Sequence, residues 1–439
     1  MTDERELPQG RLSRLAKLAR VGARTGASLL LSGDGGQAAA QQAAEVLGSL
    51  RGLAAKVGQM ASYVDGMVPD SHRDAYQTAL AGLRAAAPTS SPQQIRKQVE
   101  SELGAPIDKL FADWDDTPVA SASIGQVHRA KLPAEASQPG LEVAVKVQHP
   151  GIARAVENDL ENAGVLQQMV ATMGPRNLNS KRPFDEIKQR FREELDYQLE
   201  AERQQRFAEL HAGDPDIEIP QVIPERSARR VLTTAFKYGN SLERAATADV
   251  ETRRRYARVL WRFVFKGNLV GGLFNADPHP GNYLFQPEGR IVFLDFGCIQ
   301  PIVPTQREKA LDLHCAAVFR DEAAFKLAAR HLLQLRGGRF EADSVAYTRR
   351  CFEPLFSSSY RVTRPYVKSL VEGVMAMKQH VLSKDSGFVP LPEGVLFMNR
   401  LQFGFYSVLA QLDVEVDYHQ VERSFLEEAG LLRAPTGSF

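Results

Sequence analysis

Hydrophobic residues recur along the chain with two different periods, and each period predicts one kind of element. Four stretches before residue 305, and nearly all of the chain beyond it, carry apolar residues at the three- and four-residue steps of a helix. Ser90 or Ser91 precedes Pro92 and provides a start signal for one more helix. The four helical stretches are residues 46–113, 152–173, 184–210 and 252–269.

A second set of stretches alternates apolar and polar residues or is rich in β-branched residues, which is typical of strands. These stretches are residues 117–132, 141–148, 230–239 and 290–295. Because they lie between helical stretches, the sequence predicts an α+β fold, with a small mixed sheet and a mainly helical C-terminal half.

The composition excludes several classes of function. The 439 residues include 54 lysines and arginines against 53 aspartates and glutamates, so no net field attracts nucleic acid and no such partner is expected. Three widely spaced cysteines favour reduced thiols over disulfides or a zinc site. The acidic start MTDERE does not fit a secretory signal, and the uncharged apolar stretches are too short to span a bilayer. We therefore expect a cytoplasmic protein.

Basic residues recur near the N-terminus. Five lysines and arginines follow one another at three- or four-residue steps from Arg11 to Arg24, without an acidic residue among them. A basic amphipathic helix is able to lie on an anionic membrane surface, which predicts peripheral contact with the inner membrane surface through residues 11–31. A solvated arm, or a helix that packs on the rest of the protein, fits the same pattern.

Lys146 lies inside the apolar strand sequence VAVKVQ. Burial of a lysine is costly unless an anion meets it, so one interpretation is phosphate binding and the other is an edge lysine that reaches water. The preceding stretch PVASASIGQVHRA predicts a hairpin whose backbone N–H groups are able to face phosphates, although an ordinary β-turn fits as well. Its small residues are Ala120, Ser121, Ala122, Ser123 and Gly125.

Carboxylates and an amide follow in the order that phosphoryl transfer requires. Glu200, in a helical stretch, is placed to pair with Lys146. Asp277 stands five residues before Asn282 in ADPHPGN, and FLDFG ends a strand on Asp295. This order predicts a protein-kinase-like bilobal fold in which Asn282 and Asp295 bind Mg²⁺ and Asp277 orients the attacking group.

Three features differ from protein kinases. The phosphate loop carries alanine and serine in place of glycines, and a long stretch at 147–183 separates the lysine strand from the glutamate helix. After Gly297, the sequence CIQPIVPTQREKA leads directly into a helix without a long activation segment. Because that segment is the platform for an extended peptide, its absence favours a small or lipid-like acceptor, or ATP hydrolysis.

Taken together, these motifs resemble the UbiB/AarF (ADCK-type) atypical kinases, in particular the ubiquinone-biosynthesis branch. The resemblance covers roughly residues 50–300 and is carried by KVGQ, PVASASIGQVHRA, VAVKVQHPGI, EELDYQLEAE, NADPHPGNYLF and FLDFG. It implies a lipid-associated ATPase or small-molecule kinase that uses Mg²⁺ with ATP or ADP. Ala120 and Ala122 match an alanine-rich loop linked to nucleotide preference.

The resemblance also implies an N-terminal extension that folds over the active site and blocks peptide access. Lys56, Gly58 and Gln59 match its K-x-G-Q motif. Glu194 and Asp196 match the E-x-D motif that meets this extension. These five residues are therefore expected to be regulatory.

The expected domain organisation follows from the motifs and the periodicity. Residues 1–45 form a flexible or amphipathic arm, and 46–114 form the helical extension with the K-x-G-Q motif. Residues 115–238 form a kinase-like N-lobe with a helical insert at 147–183. Residues 239–439 form a helical C-lobe that carries the catalytic and metal loops.

The expected function is that of an atypical kinase or ATPase in isoprenoid-quinone or related lipid metabolism. Its expected partners are a nucleotide and an isoprenoid lipid or lipid-biosynthetic enzymes. Two alternatives remain open: a non-catalytic nucleotide-binding scaffold for such enzymes, and a small-molecule phosphotransferase of the aminoglycoside or choline type. The second shares D-x₄-N but has no place for the element at residues 56–59.

Overall fold

The computed structural model describes residues 90–121, 124–157, 189, 192–275, 277–382 and 395–435. The predicted arm, the contact segment 11–31 and the extension up to residue 89 lie outside these residues. Lys56, Gly58, Gln59, Ala122 and Ser123 lie outside them too, as does most of the predicted insert 147–183.

The chain divides into two compact units. One comprises Met1–Leu199 with Val222–Phe236, and the other comprises Glu200–Gln221 with Lys237–Phe439. The strands are β1 Asp113–Trp114, β2 Ala120–Ser121, β3 Gly125–Lys131, β4 Glu142–Gln148, β5 Ile217–Glu218, β6 Val231–Ala235, β7 Leu273–Asn275, β8 Tyr283–Phe285, β9 Ile291–Phe293, β10 Ile299–Pro301, β11 Tyr360–Arg361 and β12 Glu415–Val416. The helices are α1 Pro92–Leu103, α2 Ile107–Leu110, α3 Tyr197–Leu210, α4 Leu242–Ala245, α5 Val250–Leu269, α6 Pro304–Val318, α7 Glu322–Leu333, α8 Gly338–Cys351, α9 Glu353–Phe356, α10 Arg364–Leu382, α11 Val395–Leu412 and α12 Tyr418–Glu428.

The first unit contains an antiparallel sheet with the strand order β1-β3-β4-β6, to which β2 adds by pairing with β3. Along β4, Val143, Val145 and Val147 are fully buried in one core cluster with Ile95 and Val99 of α1. Successive side chains of a strand point to opposite faces, so the residues between these valines face away from α1. This alternation places Lys146 on the other face of the sheet.

The predicted helix start before Pro92 is confirmed. The Ser91 side chain accepts a hydrogen bond from the Gln94 N–H, and the Gln94 side chain accepts one from the Ser91 N–H. This reciprocal arrangement satisfies two donors that the first turn of a helix leaves unpaired. Gly104 ends the helix in the left-handed region, with φ of 74°.

The second unit is mainly helical, as expected, and holds three small sheets. Within the described residues these sheets have the orders β5-β9-β8, β7-β10 and β11-β12. The expectation of helix throughout the chain beyond residue 305 is wrong at β11 and β12, which are strands. A strand of two residues is too short to show alternation, so the sequence pattern could not reveal them. The chain after Gly297 likewise forms β10, paired with β7, before α6 begins. Among the described helices, none is long and apolar enough to cross a bilayer.

His211, directly after α3, is buried among aromatic rings in the second unit. Its ring centroid lies 5.1 Å from that of Phe263 and 6.2 Å from that of Phe207. Neither ring nitrogen has a hydrogen-bond partner within the described part of the chain. Burial lowers the pKa of His211 from 6.5 to about 3, and the charge of Lys266 adds to the decrease.

His211 should therefore make the protein less stable as the pH falls. The unfolded chain binds this proton below about pH 6.5 and the folded chain only near pH 3, so the stabilisation is complete above pH 6.5 and is lost progressively below it. The loss from this residue should reach about 2 kcal/mol at pH 5. His211→Phe should flatten the pH dependence of urea unfolding between pH 7 and 5 relative to wild type. An unchanged slope in His211→Phe would contradict this assignment.

Candidate functional site

Asp277 and Asn282 are held together by the loop between β7 and β8. The Asn282 Nδ2 group donates to the Asp277 carbonyl at 3.1 Å and approaches the Asp277 Oδ2 atom at 3.4 Å. The Asn275 Oδ1 atom accepts the Asp277 N–H at 3.0 Å. The five-residue spacing thus brings the predicted catalytic acid and the predicted metal-binding amide into contact.

The register of β8 and β9 brings Asn282 to the segment that carries Asp295. Tyr283 pairs with Phe293 in this antiparallel ladder, so the residue before β8 meets the residue after β9. The Leu294 N–H accordingly donates to the Asn282 carbonyl at 2.8 Å. Asp295 is the next residue, so the ladder brings together the segments that carry the two predicted metal ligands.

Asp295 has an unusual backbone conformation, with φ of 59° in the left-handed region. Its Oδ1 atom accepts the Gly297 N–H at 3.1 Å, which closes a turn over Phe296. The Phe296 side chain is fully buried and lies 5.3 Å, centroid to centroid, from Phe207 of α3. Aspartate tolerates the left-handed region better than most residues, because its short side chain bonds to the nearby backbone.

Two further contacts support the catalytic loop. The His279 Nδ1 atom accepts the Gly281 N–H at 3.0 Å, and the Asn282 N–H donates to the His279 carbonyl at 2.9 Å. On the other side, a Cβ atom at Gly404 of α11 would stand 2.5 Å from the Pro278 Cγ atom. The glycine therefore lets the helix backbone approach the proline ring closely.

Lys146 belongs to the first unit and lies in the middle of its sheet. It pairs with Val127 of β3 on one side and with Leu232 of β6 on the other. The alternative of an edge lysine is therefore wrong. Lys146 is half-buried, and its Nζ atom lies 5.0 Å from the centre of the Tyr197 ring, a distance at which a cation is attracted to the aromatic face.

The described residues on either side of the predicted phosphate loop pair in the antiparallel way expected of a hairpin. Ala120 pairs with Val127 and Ser121 with Gln126. Gly125 is buried at the start of β3, where a Cβ atom would stand 2.5 Å from the Val147 carbonyl oxygen and 2.7 Å from the Tyr197 hydroxyl. Packing alone therefore accounts for a glycine at residue 125, whether or not a phosphate binds nearby.

The carboxylates of the EELDYQLE stretch have separate surroundings. The Asp196 Oδ1 atom accepts the N–H groups of Gln198 and Leu199, so Asp196 caps the N-terminus of α3. Glu194 is half-buried, and its proposed meeting with the K-x-G-Q motif concerns residues outside those described. Glu200 is buried in the second unit. Its pairing with Lys146 of the first unit stays a prediction.

Two titratable groups around the loop have shifted pKa values. Burial raises the pKa of the Tyr283 hydroxyl far above its usual value, and the charge of Asp277 adds to the increase. Tyr283 is therefore neutral and does not exchange protons at the site. The hydrogen bond with Ser241 lowers the pKa of Glu243, and the charge of His279 makes a smaller contribution.

The residues of the second unit suit a Mg²⁺ ion that arrives with a nucleotide. Asn282 directs its amide nitrogen to Asp277, so its amide oxygen is the atom suited to bind a cation beside the Asp295 carboxylate. No group of three or more histidine, cysteine or acidic side chains within the described residues has the geometry of a metal site. Mg²⁺ commonly takes one or two protein ligands and completes its shell with phosphates and water. The donor set fits that mode.

Sequence reasoning missed two residues that shape this site. Asn275 begins the NADPHPGNYLF motif, and its spacing of two residues from Asp277 permits the side-chain turn that the structure shows. Arg203 of α3 donates a hydrogen bond to the Gly297 carbonyl at 3.0 Å. Its spacing of three residues from Glu200 was the available signal, since both lie on one helix face.

The family model described as the ABC1 atypical kinase-like domain matches residues 82–328. The chain belongs to this family. The UbiB/AarF assignment and the α+β kinase-like fold expected from the sequence are thereby confirmed. This chain is 30% identical over 361 residues to the atypical kinase COQ8B, mitochondrial, of Danio rerio. The aligned region covers 78% of this chain and 56% of the relative. It is 26% identical over 374 residues to the atypical kinase COQ8, mitochondrial, of Saccharomyces cerevisiae. That aligned region covers 84% of this chain and 72% of the relative.

A solved structure resembles the ABC1 chain over most of its length. The complex of Rv3197 with erythromycin from Mycobacterium tuberculosis matches with a TM-score of 0.62 and 26% identity, covering 89% of this chain and 95% of that one. The chain spans between 37% and 56% of the length of several curated relatives, including the Danio rerio protein.

Proposed function

We propose that this chain is an atypical kinase or ATPase that binds ATP or ADP with Mg²⁺ and supports isoprenoid-quinone or related lipid metabolism. The observation that carries the proposal is the joining of Asp277, Asn282 and Asp295 by the catalytic loop and the β8–β9 register. An acid, an amide and a second carboxylate in this order are the groups that phosphoryl transfer requires.

Each group has a separate task in this proposal. Asp295 and the Asn282 amide oxygen hold Mg²⁺, which neutralises phosphate oxygens when bound. Asp277 orients the attacking hydroxyl or water and accepts its proton. Lys146 binds the α- and β-phosphates, and Glu200 holds the lysine in place. The small-residue hairpin before β3 supplies backbone N–H groups to the phosphates.

The lipid assignment rests on the motifs and on the relatives. Both relatives reported above carry the COQ8 name and are described as mitochondrial atypical kinases. We propose an isoprenoid lipid, or an enzyme that processes one, as the partner of this chain. Peripheral contact of residues 11–31 with the inner membrane surface belongs to the same proposal.

Asp277→Asn should separate turnover from nucleotide binding. A missing proton acceptor should lower phosphate release from ATP by about 10²- to 10⁴-fold. Binding of Mg²⁺ and nucleotide should persist, because the Asn282 amide contacts the backbone carbonyl of residue 277, which the substitution does not change. The measurement is phosphate release with Mg²⁺, with and without anionic-lipid vesicles and a phenolic quinone precursor, beside the thermal shift produced by ADP.

The matched control is Asp312→Asn, at an exposed aspartate of the same unit, which should change neither value. If Asp277→Asn abolished the thermal shift as well, Asp277 would have a binding role. Wild-type protein that binds nucleotide but releases no phosphate and phosphorylates no acceptor, with or without lipid, would favour the non-catalytic scaffold.

A second candidate function is the binding of a large lipophilic small molecule. It is favoured by the likeness to the Rv3197–erythromycin complex, which extends over nearly the whole length of both chains. Erythromycin should then raise the melting temperature of this chain, and the increase should differ with and without Mg²⁺ and ADP. The absence of any shift with erythromycin, both with and without Mg²⁺ and ADP, would exclude this candidate.

A further inference from the structure

One face of α3 packs against the turn that carries Asp295. The residues of this face follow the helical steps of three, four and seven residues, so they lie above one another along the helix. All of them are buried, and all belong to the second unit. They are Glu200, Arg203, Gln204 and Phe207.

Arg203 donates a hydrogen bond directly to this turn. Its Nη1 group donates to the Gly297 carbonyl at 3.0 Å, and the side chain is only 8% exposed. The Glu200 carboxylate lies beside the same residue, since its Oε2 atom is 3.3 Å from the place that a Cβ atom would take on Gly297. A buried guanidinium is costly to keep unless its hydrogen bonds are made, so its position is set by these neighbours.

Both polar groups of Gly297 are thus held in place. Its N–H donates to the Asp295 carboxylate, and its carbonyl accepts from Arg203. Phe296 stands between Asp295 and Gly297 in the chain, and its ring packs against Phe207, one turn further along α3. A displacement of Gly297 would therefore change the orientation of the Asp295 side chain directly, through a single hydrogen bond.

We propose that Arg203 is a positioning residue that holds the Asp295 carboxylate in the orientation that binds Mg²⁺. The inference rests on the proposed function, because it concerns the metal ligand of that site. Residues that orient a metal ligand without touching the metal typically contribute about 10- to 100-fold to metal affinity. Arg203 acts in this way through Gly297.

The test is a Mg²⁺ titration of the thermal shift that ADP produces in the full chain. Arg203→Met keeps the length of the apolar part of the side chain and removes every donor. It should raise the Mg²⁺ concentration at half-maximal shift by about 10- to 100-fold. Arg203→Lys should lie between this variant and wild type, because a lysine offers donors but not the fixed guanidinium geometry. Arg206→Met, at an exposed arginine of the same helix, should titrate like wild type.

A purely structural arginine would give a different pattern. Arg203→Met would then melt at a lower temperature without nucleotide, while its half-maximal Mg²⁺ concentration would equal that of Arg206→Met, and the inference would be wrong. Should Arg203→Met fail to fold, Arg203→Lys decides, since a titration identical to wild type overturns the inference. If wild-type protein itself showed no Mg²⁺-dependent shift with ADP or ATP, the proposed function would fall, and the inference with it.

Discussion

Asp295→Asn should remove the Mg²⁺-dependent stabilisation that ATP or ADP gives to this chain. At nucleotide concentrations a few hundred times above the dissociation constant, that stabilisation is worth about 3–4 kcal/mol. The loss should be nearly complete because the carboxylate charge, and not the size of the side chain, holds the cation. Phosphate release from ATP should disappear with it.

Asparagine is the replacement that isolates the charge. Asp295 has φ of 59°, and asparagine is among the few residues that adopt the left-handed region readily. The asparagine Oδ1 atom is also able to accept the Gly297 N–H, as the Asp295 Oδ1 atom does. Asp295→Ala would lose the charge, this hydrogen bond and the backbone preference together, so its effect could not be assigned.

A matched control for Asp295→Asn exists in the same unit. Asp413 also has a positive φ, 44°, and it is exposed. Asp413→Asn should leave the Mg²⁺-dependent thermal shift unchanged. If Asp295→Asn kept the full shift at every Mg²⁺ concentration, the metal-binding role of Asp295 would be wrong, and with it the central part of the proposed function.

The catalytic and metal loops were predicted from the sequence because their chemistry is local. Asp277 and Asn282 are five residues apart, and the loop between them is stiffened by two prolines. Their contact therefore needed little knowledge of the rest of the fold. The helix start at Ser91 was predictable for the same reason, since capping depends on residues three positions apart.

Contacts between distant segments were not predictable in this way. The register that joins Asn282 to Leu294 belongs to three-residue strands, which are too short for a clear alternation. The contact of Arg203 with Gly297 spans 94 residues and depends on how α3 packs against the Asp295 turn. Gly125 shows the opposite case, in which a glycine interpreted as part of a phosphate loop is also required by the packing of β4 and Tyr197.

The pairing of Lys146 with Glu200 is predicted from the order of the motifs alone. Each residue has a defined place in its own unit, Lys146 in a central strand and Glu200 beside Gly297. Their joint action on one nucleotide belongs to the proposed function and follows from the order of motifs. The role of the K-x-G-Q extension, with Lys56, is likewise predicted from the sequence alone.

Glu422→Ala should lower the free energy of unfolding by about 3–5 kcal/mol. This is the largest loss of stability among the variants proposed for this chain. The Glu422 side chain is fully buried in α12. Its Oε2 atom accepts the Trp261 indole N–H at 3.0 Å, and its Oε1 atom lies 2.5 Å from the His314 Nδ1 atom. Alanine would leave both nitrogen groups buried without their acceptor, in addition to a cavity.

Two variants separate the contribution of this network from that of the helix. Glu428→Ala, at an exposed glutamate of α12, should change the free energy of unfolding by less than about 0.5 kcal/mol. Glu422→Gln keeps the shape and one acceptor oxygen, so its cost should lie between the two alanine variants. The measurement is the urea midpoint at an unchanged m-value, since a constant m-value shows that stability alone has changed. A loss below about 1 kcal/mol for Glu422→Ala would mean that Trp261 and His314 find other acceptors. The buried carboxylate would then have no structural role in joining α12 to α5 and α6.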